Sequence, residues 1–171
     1  ELETIDSLPD NHYAKQYVIN RQIPKERWSD LYFSPDFKSF VESFDIDKDL
    51  KEDDPRLIIP FYNVEKDLIG FQGRAISKKD NIRYITIMLN EEAPRVYGLD
   101  CVDFNKKNYV FEGPFDSMFI PNSIATCGGQ LTSELKKLNK SKDNTVVVYD
   151  NEPRSKEIVK NMLTAIKNDY K

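Results

Sequence analysis

The sequence predicts an α/β protein: a parallel sheet flanked by helices, preceded by a smaller mixed α+β part. Three observations carry this. Residues 11–44 hold apolar residues at helical spacing. Residues 56–89 hold three short runs rich in Ile, Leu, Phe and Tyr, the composition of strands. After Tyr97-Gly98, strand-like and helix-like runs alternate, which implies right-handed crossovers and parallel pairing.

In chain order, NHYAKQYVINRQ (11–22) reads as a helix with Asn11 as N-cap and Tyr13, Tyr17 and Val18 on its apolar face. Ile23-Pro24 stops it, and KERW begins a short turn. SPDFKSFVESF reads as a helix started by Ser34-Pro35, with Phe37, Phe40, Val41 and Phe44 along one side. DIDKDLKEDDP (45–55) is acidic and poor in apolar residues, so it reads as a solvated linker. RLIIPFYN and DLIGFQGRAI form a hairpin around Asn63–Lys66, and IRYITIML adds a third strand. Then come the strand YVFEG, a short helix PFDSMF, the strand SIATC, the helix LTSELKKLN, the strand NTVVVYD and a long terminal helix. These readings divide the chain into a helical lead-in with its acidic linker (1–54), a basic strand-rich part (55–104) and an α/β domain (105–171).

Composition narrows the chemistry. With 171 residues, 39% hydrophobic and 32% charged, the chain has an ordinary globular make-up. No apolar run approaches the ~20 residues that cross a bilayer, and no leader-like segment is present, so a cytoplasmic location is expected. Cys101 and Cys127 do not form a C-x-x-C pair, which excludes a zinc ribbon within these residues; they are expected as reduced thiols. His12 is the single histidine and reads as an exposed helix-start residue, which leaves little for Ser-His-Asp chemistry. No G-x-x-x-x-G-K-[ST] run is present, so no helicase motor is encoded here. Residues 1–54 carry 7 Lys/Arg against 14 Asp/Glu (net −7), and residues 55–171 carry 18 against 15 (net +3), so the later part permits an anionic partner.

Two of the expected parallel strands end in acids. VF runs into Glu112, with Asp116 one helical turn on, and VVVY runs into Asp150 and then Glu152. In open parallel sheets functional groups gather beyond the carboxyl ends of the strands, so neighbouring strands bring these acids to one edge. Asp150 and Glu152, two apart on near-extended chain, are expected to point the same way. Four carboxylates together repel one another and call for a cation, and hard oxygen ligands suit Mg²⁺ or Mn²⁺. Gly113 and Gly128-Gly129 beside that edge leave room for a phosphate. The aromatic residues Tyr32, Phe33, Phe37, Phe61, Tyr62 and Phe71 read mostly as core, and Trp28 as a packing anchor or a base-stacking residue.

These motifs resemble those of the TOPRIM domain. VFEGPFD is similar to its E-G-x-x-D strand end, VVVYDNEP to its D-x-D strand end with Glu152 in place of the second aspartate, and ATCGGQLT to its glycine-containing turn. The preceding segment resembles that of bacterial and bacteriophage DNA primases, supplying Arg56, Pro60, Phe71, Gly73, Arg74, Arg83, Arg95, Tyr97 and Gly98 at the family's positions. The resemblance implies a primase core that joins NTPs into short RNA primers on single-stranded DNA. It implies Glu112, Asp150 and Glu152 as catalytic metal ligands, and Asp116 as a ligand or an orienting residue. Glu112 could also take the hydroxyl proton, although a cation-bound carboxylate is a weak base. Arg74, Arg83, Arg95 and Lys156 are implied in nucleotide or template binding, since guanidinium forks match phosphate oxygens. A replicative helicase is the implied partner, and a zinc-binding domain is expected upstream in the full-length chain. The alternatives are a TOPRIM nuclease using the same metals and a non-catalytic replication or recombination module; 171 residues are too few for a topoisomerase.

Overall fold

The computed structural model describes residues 2–77, 80–128, 131–138, 142–152 and 154–171. They fall into two compact units, one of Glu1–Pro60 with Leu68–Asn90 and one of Phe61–Asp67 with Glu91–Lys171.

The first unit is built on a sheet of order β1-β2-β3-β4-β5. β3 (Arg56–Tyr62), β4 (Leu68–Ala75) and β5 (Tyr84–Met88) are the strands expected from the β-branched and aromatic runs. β1 (Glu3–Thr4) and β2 (Tyr32–Ser34) join them without a strand signal in the sequence. β2 pairs antiparallel with β3, Tyr32 opposite Ile58, and β4 with β5, Phe71 opposite Ile87. Segments of two and three residues are too short for period-2 alternation to show; they become strands only by hydrogen bonding to a neighbour.

Helix α1 (Tyr13–Asn20) is capped by His12, not Asn11: the imidazole Nδ1 accepts from Ala14 N at 3.2 Å. Its buried residues are Ala14, Lys15 and Val18, while Tyr13 is half exposed and packs its ring on His12 and Phe33. Lys15 is buried because its ammonium donates to the carbonyls of Asp6 and Leu8 and pairs with Asp10 at 3.0 Å. A 3-10 turn follows over Lys25–Asp30, in which Trp28 donates its indole N–H to Ile23 O at 3.0 Å and anchors packing. Helix α2 (Phe37–Glu42) starts two residues later than Ser34-Pro35 would place it. Asp36 is its cap and accepts from Lys38 N at 3.1 Å and Ser39 N at 3.3 Å.

Phe37 and Val41 of α2 pack on Ile58, Phe71 and Ile87 of the sheet, with Phe40 and Phe44 along the margin. Phe37 and Phe71 meet edge to face at 6.2 Å. The acidic segment 45–55 is more than a solvated connector. Ile46 and Leu50 lie against this core, and Asp54 is buried, pairing with the buried Arg56 at 2.6 Å. Arg56 also donates to the carbonyls of Gly73 and Ile82, both at 3.1 Å.

Gly73 shows why the F-Q-G-R run needs its glycine. A Cβ there would stand 2.5 Å from Cε2 and 2.6 Å from Cζ of the buried Phe37 ring. Gly73→Ala should therefore destabilise the fold by about 1–3 kcal/mol, with thermal melting as the readout.

The second unit carries a parallel sheet of order β7-β6-β8. β6 (Asn108–Phe111) is central, pairing Val110 with Ile124 of β7 (Ser123–Ala125) and with Val147 of β8 (Thr145–Val147). Between the strands run α3 (Pro114–Ser117) and α4 (Leu131–Leu138), and α5 (Lys156–Lys167) follows β8. Val110, Ile124, Leu135 and Ala165 form the core between sheet and helices, with Val96, Leu99 and Tyr170. This is the alternating architecture expected after Tyr97-Gly98. Tyr97 adds an antiparallel bridge to Ala125. Gly98, at φ +86°, turns the chain away where a Cβ would meet Ser123 O at 3.0 Å. Among the described residues no helix is long and apolar enough to cross a membrane.

Candidate active site

The site is set by how β6 and β8 end. Glu112 follows the last residue of β6; Gly113 then caps α3 in extended backbone and Pro114 opens the helix, so the chain turns sharply beyond the carboxylate. Asp116 lies in the first turn of α3 and is exposed. On the adjacent strand, Val148 N donates to Val110 O at 2.8 Å, which extends the pairing past β8 and brings Tyr149 and Asp150 to the same edge. The chain is not extended between the two later acids. Glu152 N donates to Asp150 O at 2.7 Å, a three-residue turn, and Ser155 N donates to Glu152 O at 2.9 Å. Ser155 then caps α5, accepting from Ile158 N at 3.3 Å.

Glu112 is half-buried, and its carboxyl is pushed above the ordinary glutamate range. Burial is the larger cause, followed by the negative charges of Asp150, Glu157, Glu152 and Asp116 in that order. The structure thus gathers Glu112, Asp116, Asp150 and Glu152 into one field. It adds Glu157, which sequence reading missed because an acid in a first helical turn is ordinary helix chemistry. Among the described residues no three His, Cys, Asp or Glu side chains converge into a closed cation cage. The chemistry of these side chains fits a hard divalent cation: the candidate donors are all carboxylate oxygens, and their repulsion at Glu112 is what a cation would relieve.

The surroundings are tied down. Thr126 N donates to Phe111 O at 3.0 Å and Cys127 N to Glu112 O at 3.1 Å, locking the strand end from its other neighbour. Cys127 is fully buried, and burial pushes its thiol far up, leaving it inert; Cys101 is exposed, and both are free thiols. Tyr149 donates its hydroxyl to Asn161 O at 3.0 Å; burial and then the Glu112 charge raise its own ionisation. Gly128 has nothing within 4 Å of where a Cβ would stand, while Gly129 and Pro153 lie outside the described residues.

The expected basic residues are placed differently. Lys156 is the exposed first residue of α5, and Arg95 is exposed with its backbone N–H donating to Glu134 Oε2 at 2.9 Å. Arg74 and Arg83 belong to the first unit. Arg74 is buried, donating Nε–H to Tyr17 Oη at 2.9 Å and stacking on Tyr84 at 4.3 Å; Arg83 is exposed at the start of the edge strand. Phe33, Phe37, Phe61 and Phe71 are core residues.

No family model matches the chain. Over 159 residues it is 42% identical to the DNA primase of Enterobacteria phage T4, an alignment covering 92% of this chain and 45% of that protein. The chain thus spans about half the length of this relative. Among solved structures, the Aquifex aeolicus primase (zinc binding and RNA polymerase domains) superposes at TM-score 0.68 with 24% identity, covering 91% of this chain and 46% of that one. The E. coli primase catalytic core superposes at 0.67 with 18% identity, covering 96% and 64%. A DnaG primase catalytic domain bound to ssDNA superposes at 0.63 with 18% identity, covering 95% and 64%. At those identities the superpositions speak for the fold, and the phage relative speaks for the lineage. Over 92% of its length the chain is related to a DNA primase, and its fold is that of DNA primase catalytic cores.

Proposed function

We propose that this chain is the nucleotidyl-transfer core of a primase, joining NTPs into short RNA primers on a single-stranded DNA template. The reading is supported by the negative charge that Asp150 and Glu152 add at Glu112, beyond the carboxyl ends of the paired parallel strands β6 and β8. Glu112, Asp150 and Glu152, with Asp116 beside them, are the residues to hold Mg²⁺ or Mn²⁺; the bound ion supplies charge neutralisation at the reacting phosphoryl oxygens and the pyrophosphate leaving group. Glu112 provides the half-buried carboxylate at the strand end, where a fixed backbone keeps it in place. Arg74, Arg83, Arg95 and Lys156 anchor nucleotide and template phosphates. A replicative helicase and a zinc-binding domain upstream complete the proposed assembly, which works in the cytoplasm, that of the host for a phage protein.

The test is synthesis: protein, single-stranded DNA, labelled NTPs and Mg²⁺ or Mn²⁺ yield short RNA. DNA degradation without NTP incorporation would identify a nuclease instead.

The raised Glu112 ionisation adds a stability prediction. The folded state holds this proton more tightly than the unfolded chain does. The contribution of Glu112 is therefore most favourable below the ordinary glutamate range and is lost as pH rises through the raised value. Without divalent ions, wild type should lose Tm across that window more than Glu112→Gln does. Adding Mg²⁺ or Mn²⁺ at neutral pH should raise Tm in wild type and leave Glu112→Gln nearly unmoved. Equal Mg²⁺ responses in the two proteins would remove Glu112 from the ligand set.

A further inference from the structure

Thr126 is 1% exposed, and its hydroxyl oxygen has no hydrogen-bond partner among the described residues. A buried hydroxyl costs free energy unless it is bonded, so an unpaired one in a fold calls for a reason. A valine would fill the same space at a strand end without that cost, and suits a strand equally well.

The register of the parallel sheet supplies the reason. β6 pairs with β7 as far as Phe111 opposite Ala125, and Thr126 N donates to Phe111 O at 3.0 Å. One residue further, the same register sets Thr126 beside Glu112. Side chains in register point to the same face, and neighbouring strands lie about 4.8 Å apart, within reach of a glutamate and a threonine. On the other flank β8 pairs Val147 with Val110, so Tyr149 stands beside Glu112 two residues on. The effect of the Glu112 charge on Tyr149 agrees with that placement. Tyr149 has already committed its hydroxyl to Asn161 O at 3.0 Å. Glu112 is thus flanked by two hydroxyls, and that of Thr126 is the uncommitted one. The backbone around the pair is fixed: Cys127 N donates to Glu112 O at 3.1 Å, and Cys127, at φ +45°, turns the chain away directly after Thr126.

We propose that Thr126 is a positioning residue for Glu112, its hydroxyl donating to one carboxylate oxygen and leaving the other for a divalent cation. The role rests on the primase reading above. Donors that hold a carboxylate ligand from behind orient it and sharpen metal affinity. In A-T-C-G-G the glycines draw the eye, and only burial and register single out the threonine.

Thr126→Val tests this, since it removes the hydroxyl and keeps the shape. It is compared with wild type, Thr126→Ser and Glu112→Gln by thermal melting over a Mg²⁺ titration and by primer synthesis. Without divalent ions Thr126→Val should melt at or above wild type, because an apolar group replaces an unpaired buried hydroxyl. The Mg²⁺ concentration that gives half of the Tm rise, and half-maximal synthesis, should increase about tenfold, the lower end of what outer-shell partners contribute. Thr126→Ser keeps the hydroxyl and should restore the wild-type Mg²⁺ dependence, which a purely structural role would not require. Wild-type Mg²⁺ dependence in Thr126→Val overturns the proposal. So does a marked fall in its Tm without divalent ions, which would mean that the hydroxyl already has a partner in the fold. Glu112→Gln separates the readings: lost synthesis there, with wild-type Mg²⁺ dependence in Thr126→Val, removes the role of Thr126 alone. Retained synthesis in Glu112→Gln removes the catalytic assignment and this role with it.

Discussion

Glu112→Gln should cut primer synthesis by about 10²–10³-fold or more while leaving the protein folded, because it removes charge stabilisation at the reacting centre and no packing. The backbone that seats this residue is fixed by neighbours, Cys127 N on its own carbonyl at 3.1 Å and Thr126 N on Phe111 O at 3.0 Å, so the amide takes the same position. What changes is charge. The repulsion of Glu112 by Asp150, Glu157, Glu152 and Asp116 is removed, so the variant should melt no lower than wild type without divalent ions. Asp150→Asn should show a loss of similar size. The double variant should be little worse than either single one, since residues that act on one centre as a unit are not additive. Gel analysis of labelled RNA with a melting curve for each variant checks both halves. Full synthesis by Glu112→Gln would end the assignment.

Asp54→Ala should destabilise the first unit by about 3–5 kcal/mol, the cost of leaving a buried charge without its partner. Asp54 and Arg56 pair at 2.6 Å with side chains only 4% and 3% exposed. Arg56 keeps its bonds to the carbonyls of Gly73 and Ile82, which hold it in place and prevent it from swinging out to water. For a chain of this size the loss corresponds to a fall in Tm of roughly 6–20 °C. Replacing both members, Asp54→Ala with Arg56→Met, should recover part of it, because an apolar pair leaves no orphaned charge. Thermal denaturation of wild type, the single variant and the double variant gives the comparison. A single variant as stable as wild type would mean that Arg56 finds a new partner or water.

The two predictions differ in how visible their residues are in the sequence. Glu112, Asp116, Asp150 and Glu152 are legible because an apolar strand run ending in an acid is a local pattern. Alternation of strands and helices then places neighbouring parallel strand ends together. That logic holds for β6 and β8, whose pairing in register brings the acids to one edge. Asp54 looked like one more acid in a solvated run, since nothing in DIDKDLKEDDP marks which carboxylate turns inward. Its burial depends on Arg56 beside it and on the carbonyls of Gly73 and Ile82, far along the chain. Glu157 was hidden for a similar reason: its relation to Glu112 passes through the packing of α5 and not through spacing.

The sequence by itself determined the strands β3 to β8, the helices between them and the acids at two strand ends, because each is written in contiguous residues with its own periodicity. It also carried the primase resemblance, whose motifs are local. Only the tertiary structure decided that β1 and β2 exist, that His12 and Asp36 cap their helices, and that Asp150 and Glu152 lie across a turn. It alone decided that Asp54 is buried and that Thr126 stands in register with Glu112. Each of these rests on a hydrogen bond or an ion pair whose worth is set by exclusion from water and by neighbours distant in the chain. No window of residues contains that information.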